Sequence, residues 1–184
     1  MRHLVVRAKE GDRNAFSELA AGSIGRLTAV ARMITRDEYI AQDAVQDTLV
    51  EAWRSLPGLR DPDRFEAWLR RLLVRACFKS VRRRRRTGAV EIRLTPGFEP
   101  VVAGAEPGLQ LRDQLERGLA RIPADQRAAI VLVYYLDLPL ADAAQAMDVP
   151  LGTAKSRLNR ATHALRAAIE ADDREPLRVK ERIA

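Results

Sequence analysis

The feature that most constrains the fold lies between Leu140 and Glu170, where two helical patterns are separated by only Asp148-Val149-Pro150. Pro150 cannot continue the first helix, and so short a connection forces the second to cross it at a steep angle, as in a helix-turn-helix unit. In the second helix Ala154, Leu158, Ala161, Leu165 and Ala168 form a narrow apolar stripe. Gly152, Ser156, Asn159, Arg160 and His163 fall roughly opposite, with Lys155, Arg157 and Arg166 towards the flanks. One face therefore packs and the other offers hydrogen bonds: Arg pairs with guanine, Asn with adenine, and Ser with either. The flanking Lys and Arg suit phosphates, as do the free N–H groups near Gly152 and Thr153. An amphipathic bundle helix with a solvated basic face fits the same pattern, so the local sequence leaves both readings open.

The rest of the chain is also helical in pattern. Asp12 is placed to cap a helix over about 13–34. Thr35-x-x-Glu38 has the form of a capping box for a second helix to about Leu56, and Pro57-Gly58 stops it. Asp61-Pro62 supplies a cap and a first-turn proline for a third, to about Arg86. Its core-facing stripe is Phe65, Trp68, Leu69, Leu72 and Ala76, while Arg64, Arg71, Arg75 and Arg82 line another side. The second helix has a core stripe of Ala41, Val45, Leu49, Ala52 and Leu56. Its other face carries Asp43, Gln46, Asp47, Val50 and Arg54, either a plain surface or a docking face for a basic helical partner. Four further helices are expected over 109–121, 124–136, 140–147 and 152–170, punctuated by Pro123, Pro139 and Pro150. With aromatics at only 5% and Ala, Leu, Arg and Glu abundant, the composition favours an all-α fold.

Charge locates the partner. The net charge is +7, but residues 56–88 alone hold 11 basic and 3 acidic side chains. Such a concentration points to a polyanion met locally. The run Arg82–Arg86 continues the basic side of the third helix, and basic residues interleaved with aromatics such as Phe78 suit unstacked nucleic acid. By contrast, two distant histidines and the absence of a Gly-rich phosphate loop, HExxH or metal-ligand spacing speak against catalysis. Cys77 reads as a small, partly buried residue. A single cysteine fits a reducing compartment. No apolar run suits a membrane span and the charged N-terminus is unlike a signal peptide, so a cytoplasmic protein without membrane insertion is expected. From Thr87 to Pro107, Pro and Gly break any period. We read this stretch as a flexible linker between two small helical domains, about 65 Å at full extension.

Two pairs of segments carry a family resemblance. "DAVQDTLVEAWR" (43–54) and "LRDPDRFEAWL" (59–69) resemble region 2 of bacterial sigma factors of the extracytoplasmic-function class. "PADQRAAIVLVYYL" (123–136) and "PLGTAKSRLNRA" (150–161) resemble their region 4, the GTxKSRLxRA string being especially specific. The resemblance covers nearly the whole chain. It implies a promoter-specificity subunit of RNA polymerase, with region 2 over 1–87, a linker over 88–107, region 4 over 108–171 and a charged, frayed tail over 172–184. Asp43, Gln46, Asp47, Val50 and Arg54 would bind the clamp helices of the polymerase β′ subunit. The segment Leu59–Arg86 would recognise and help melt the −10 element, capturing an unstacked base, through Arg60, Asp63, Arg64, Arg71, Arg75, Lys79 and Arg82. Region 4 would sit on the β flap and read the −35 element of promoter DNA through Gly152, Thr153, Lys155, Ser156, Arg157, Asn159 and Arg160. An anti-sigma factor would hold such a protein inactive. No cofactor is implied.

Three positions depart from the family pattern. Arg75 and Lys79 stand where an Asn and an Asp are common, which exchanges fine −10 reading for phosphate attraction. Ala143 stands where Ile is frequent and should loosen the first helix of the helix-turn-helix. Two other functions remain compatible with the residues alone: a stand-alone helix-turn-helix regulator, which has no need of the Asp43–Arg54 face, and a helical adaptor for an acidic protein.

Overall fold

A computed structural model describes residues 1–86 and 115–181, with side chains over 1–84, 86 and 115–171. The expected linker and the 109–114 start of the next helix lie outside the described residues. Eight helices are seen among those described: α1 (Arg2–Lys9), α2 (Arg13–Thr35), α3 (Glu38–Ser55), α4 (Phe65–Arg86), α5 (115–120), α6 (Ala124–Ile130), α7 (Leu140–Met147) and α8 (Leu151–Glu181). No strand occurs among the described residues.

Helix α1 has no counterpart in the sequence reading. It starts without a side-chain cap and buries only Leu4, Val5 and Ala8, too few for a clear period. These three join the main core, and polar contacts add to them: Lys9 Nζ donates to Leu59 O at 2.6 Å, and the exposed Arg2 pairs with Asp63 at 2.9 Å. A turn through Gly11 (φ 95°) leads to α2. There Asp12 caps as expected, its Oδ1 accepting from the Asn14 and Ala15 N–H groups at 2.9 and 3.0 Å.

The junction of α2 and α3 corrects the capping-box expectation. The cap of α3 is Asp37, which accepts from Ile40 N–H at 2.9 Å. Thr35 is the last residue of α2, and its buried hydroxyl donates to Ala31 O at 2.8 Å. Glu38, the other half of the supposed box, is engaged by Arg32. Only Arg36, in the left-handed region at φ 57°, and Asp37 make the turn.

Helix α4 begins as drawn from the sequence, with Asp61 Oδ1 accepting from Asp63 N–H at 3.0 Å and Pro62 opening a short 3-10 turn. Its buried surface is wider than the expected stripe, since Leu73, Val74, Cys77 and Ser80 are enclosed together with Phe65, Leu69 and Ala76. The reason is its central place: α4 packs against α2 and α3 and also against α6 and α7. The main apolar core consequently runs from α1–α4 into α6 and α7, taking in Ile34, Leu73 and Val74 with Val131, Leu132 and Met147. A smaller cluster of Leu119, Ile122, Ile130 and Ala161 sits between α5, α6 and α8.

Helix α6 continues as a π-helical turn over Val131–Tyr135, which buries Val131 and Leu132 but leaves Tyr134 and Tyr135 exposed. Ala143 is fully buried, with Ala144, Ala146 and Ala154 also buried nearby in sequence or across the turn. The backbone of α8 remains helical to Glu181, past the expected end near Glu170 and through Pro176. Pro176 sacrifices one backbone bond there, while the Ala-, Glu- and Arg-rich sequence before it favours the helix.

Candidate nucleic-acid interface

The turn between α7 and α8 sets the orientation of the candidate reading helix. Asp148 adopts φ 57°, and its N–H donates to Gln145 O at 3.1 Å while Val149 N–H reaches Ala144 O at 3.1 Å. This paired bonding closes the helix end as a Schellman motif does, with Asp in the left-handed place usually held by Gly. Val149 packs against the core, and Pro150 O accepts from Ala154 N–H at 3.1 Å to open α8. The sequence DVP thus forms a fixed corner.

Along α8 the two-faced pattern is realised. Ala154, Ala161 and Ala168 are buried; Gly152, Lys155, Ser156, Asn159 and Arg160 are exposed, and Thr153 is half-buried. Arg160 lies over Ser156, its Nη2 donating to Ser156 Oγ at 2.9 Å and its Nε to Ser156 O at 3.3 Å. That pairing holds a guanidinium and a hydroxyl together on the open face. Arg157 lies elsewhere. Its side chain is only 20% exposed, Nε pairs with Asp125 of α6 at 3.2 Å, and Nη1 is buried without a hydrogen-bond partner. Its geometry ties α8 to α6 instead of presenting it with Ser156 and Arg160.

The basic residues around α4 are spread over its surface and several are already paired. Arg60 and Arg82 are exposed and Arg71 is half-buried. Arg64 faces Asp61 at 3.8 Å, and Asp63 is taken by Arg2. Lys79 pairs with Asp47 at 3.3 Å, and Arg75 pairs with Asp148 of the α7–α8 turn at 2.9 Å. Phe78 is half-buried against the core, so it is not freely available for stacking. Cys77 is fully enclosed, and burial pushes its thiol up to about 12, which leaves it an unreactive packing group.

The α3 face divides into two. Gln46, Val50 and Arg54 are exposed, Val50 to 43%. Asp43 and Asp47 turn towards α4, where Asp43 accepts from Ser80 Oγ at 3.1 Å and Arg83 Nη2 at 2.7 Å. Arg84 and Asp37 add a third α3–α4 pair at 2.7 Å. The acids thus stabilise the basic end of α4, and the outward face is an amide, an aliphatic side chain and a cation.

One residue with a large structural part was not singled out in the sequence. Arg127 of α6 is 6% exposed, and its guanidinium serves four backbone carbonyls: Ile34 at 2.8 Å, Thr35 at 3.2 Å, Leu119 at 3.2 Å and Ile122 at 2.6 Å. The cation therefore sits where α2 and α5 end, the favourable place for positive charge beside a helix dipole. A lone Arg directly before the apolar run Ala128–Val133 was the available signal.

Comparison with known proteins places the chain in a family. Residues 23–87 match the Sigma-70 region 2 family, and residues 112–165 match Sigma-70, region 4. The ECF RNA polymerase sigma factor SigM of Mycobacterium tuberculosis is 34% identical over 153 residues, covering 82% of this chain and 75% of that protein. Among solved structures, the sigma factor RpoE in complex with the anti-sigma factor NepR, from Bartonella quintana, superposes with a TM-score of 0.68 at 28% identity. That match covers 85% of this chain and 98% of RpoE. CnrH in complex with the cytosolic domain of CnrY gives a TM-score of 0.65 at 26% identity, covering 93% and 97%. No described helix is long and apolar enough to cross a membrane.

Proposed function

The chain belongs to the sigma-70 family, in its extracytoplasmic-function class, and from that premise we propose which surfaces carry its work as a sigma factor. Region 4 reads the −35 element with the open face of α8: Ser156, Asn159 and Arg160 address base edges. Lys155 and the N-terminal amides near Gly152 and Thr153 hold phosphates. The observation that carries this reading is the fixed DVP corner combined with an exposed Ser156–Arg160 pair on the far side of a buried Ala stripe. Arg157 is assigned a positioning role through Asp125.

Region 2 engages core polymerase through Gln46, Val50 and Arg54 on α3, the β′ clamp helices being the partner. Asp43 and Asp47 act indirectly, by holding Arg83 and Lys79 in place. Arg60, Asp63, Arg64, Arg71, Arg75, Lys79 and Arg82 form the −10 surface, where attraction to phosphate outweighs base reading because so many are cations. Region 4 also meets the β flap. The protein works in the cytoplasm as an initiation factor, without catalysis of its own, with 1–87 and 108–171 as its two working domains. An anti-sigma factor controls it, as the complexes formed by RpoE and CnrH suggest by likeness.

The family match favours this reading over a stand-alone regulator. Run-off transcription with purified bacterial core polymerase and a promoter library tests it. The chain should confer promoter-dependent transcripts on core; absence of both transcript and association with core would refute it.

A further inference from the structure

Helix α1 holds the stretch between α3 and α4 at two points. Lys9 Nζ donates to Leu59 O at 2.6 Å, across 50 positions of sequence. Arg2 Nη1 pairs with Asp63 Oδ2 at 2.9 Å. Arg2 and Lys9 stand two turns apart, hence on one side of α1 and about 10 Å apart along its axis. The step from Leu59 to Asp63 reaches at most about 14 Å when extended. The two cations therefore bracket the whole 59–63 loop.

Other bonds leave that loop little freedom. Leu59 is buried, and its N–H donates to Leu56 O at 3.0 Å. Asp61 Oδ1 accepts from Asp63 N–H at 3.0 Å, and Pro62 fixes its own φ. Helix α1 is itself a firm support, because Leu4, Val5 and Ala8 belong to the main core. The Arg7 guanidinium also bonds Asp12 Oδ2, through Nε at 3.0 Å and Nη2 at 2.7 Å. Asp12 caps α2 with its other oxygen, so the bracket is tied to the long helix as well. Both carboxylates of the loop face a cation, Asp63 with Arg2 and Asp61 with Arg64 at 3.8 Å. Arg60 is exposed between the two anchors. A polyanion approaching here meets a placed cation, and acids whose charge is already compensated.

We infer that Lys9 and Arg2 are positioning residues for the −10 element, holding the 59–63 loop in its binding conformation before DNA arrives. The inference rests on the assignment of that loop to the −10 surface. A loop ordered in the free chain loses little conformational freedom on binding, so the matched sequence gains the whole of its contact energy. Neither contact carries the fold. The Arg2–Asp63 pair is exposed on both sides and adds little to stability, and the Lys9 bond is only partly buried. Their loss should therefore show in DNA selectivity and not in folding.

The test uses the full chain bound to core polymerase, with a forked DNA carrying the downstream motif selected from a promoter library. The readout is the ratio of affinities for that DNA and for the same DNA with the motif scrambled. Lys9→Met should lower the ratio about fivefold or more, while the melting temperature and association with core stay as in wild type. Arg60→Ala should lower the ratio by itself, and in that background Lys9→Met should add less than about twofold. If Lys9→Met does not fold, Arg2→Glu takes its place with the same expectations, since it sets two acids against each other at an exposed site. An unchanged ratio would overturn the inference. So would a loss that multiplies in full with that of Arg60→Ala, or one that appears only in step with a lowered melting temperature. An unchanged ratio for Arg60→Ala would instead refute the assignment of the loop to the −10 element, and the positioning role with it.

Discussion

Arg127 Nε donates to Ile34 O at 2.8 Å across 93 positions of sequence, joining the end of α2 to α6 of region 4. The guanidinium stabilises by filling four carbonyl acceptors at once. Replacing it leaves enclosed carbonyls without partners, each costing about 1–3 kcal/mol where water cannot enter. With water reaching some of the four, Arg127→Met should lower stability by about 3 kcal/mol or more, and Arg127→Lys, with fewer donors, by less. Urea unfolding followed by circular dichroism measures this. Wild type should unfold in one transition because its core is shared, and Arg127→Met should separate the transition into two. A loss under about 1 kcal/mol with one transition would show that the guanidinium is dispensable.

The acid limb of stability has identifiable origins. The Ala15 N–H, followed by the Arg7 guanidinium, holds the Asp12 carboxyl below its ordinary value of 3.8. Arg32 does the same to Glu38, below 4.5. A carboxyl depressed in the folded state contributes stability that is present above its unfolded pKa and is lost as pH falls through the folded one. The melting temperature should accordingly be flat above about pH 5 with respect to these two groups and decline below it. Glu38→Gln should lower the plateau and flatten the decline. An unchanged profile for Glu38→Gln would remove the Arg32 pair from this account.

Arg160 and Lys155 should behave differently towards DNA. Arg160→Ala is expected to lose about 1–3 kcal/mol on the matched −35 sequence and to relax preference at one base pair. Lys155→Ala should weaken binding to all sequences alike and reduce the salt slope by about one unit. Competition binding against single-base variants of the element, repeated at several salt concentrations, separates the two. Equal losses for Arg160→Ala on matched and mismatched sites would show that Arg160 contacts only the backbone.

The division of the α3 face leads to a third contrast. Val50 is exposed, so Val50→Glu should leave the melting temperature within a degree or two and weaken association with core polymerase about tenfold or more. Asp43→Asn should instead destabilise the fold, because Asp43 serves Ser80 and Arg83 on α4. Thermal melts and core-association assays on both proteins are the check. Loss of core binding by Asp43→Asn at unchanged stability would return Asp43 to the outward face.

Much of this architecture was legible because it depends on local rules. Asp12 and Asp61-Pro62 mark helix starts by chemistry that acts within three residues, and Asp148-Val149-Pro150 marks a corner in the same way. The Ala154–Ala168 stripe was visible because α8 packs on one side only. Where a residue's task is set by a distant element, sequence periodicity failed. Leu73 and Val74 were missed because α4 is buried on two flanks, and Cys77, expected to be partly buried, is fully enclosed for the same reason. The pairing of Asp43 and Asp47 with Arg83 and Lys79 is not legible locally, because those partners lie thirty-two or more residues away. Arg157 looks like its neighbours on a helical wheel, and only Asp125 turns it inward. Thr35 and Glu38 had the spacing of a capping box, yet α2 runs through Thr35 itself and uses the threonine hydroxyl to bond back to Ala31 O.

The most direct measurement of the central claim is selection of active promoters from a randomised library by core polymerase carrying this chain, with the transcripts sequenced. Two motifs at a fixed spacing should emerge. Arg160→Ala should broaden the upstream motif at one position and leave the downstream motif unchanged. A single motif, or equal broadening of both by Arg160→Ala, would contradict the assignment of α8 to the −35 element and of α4 to the −10 element.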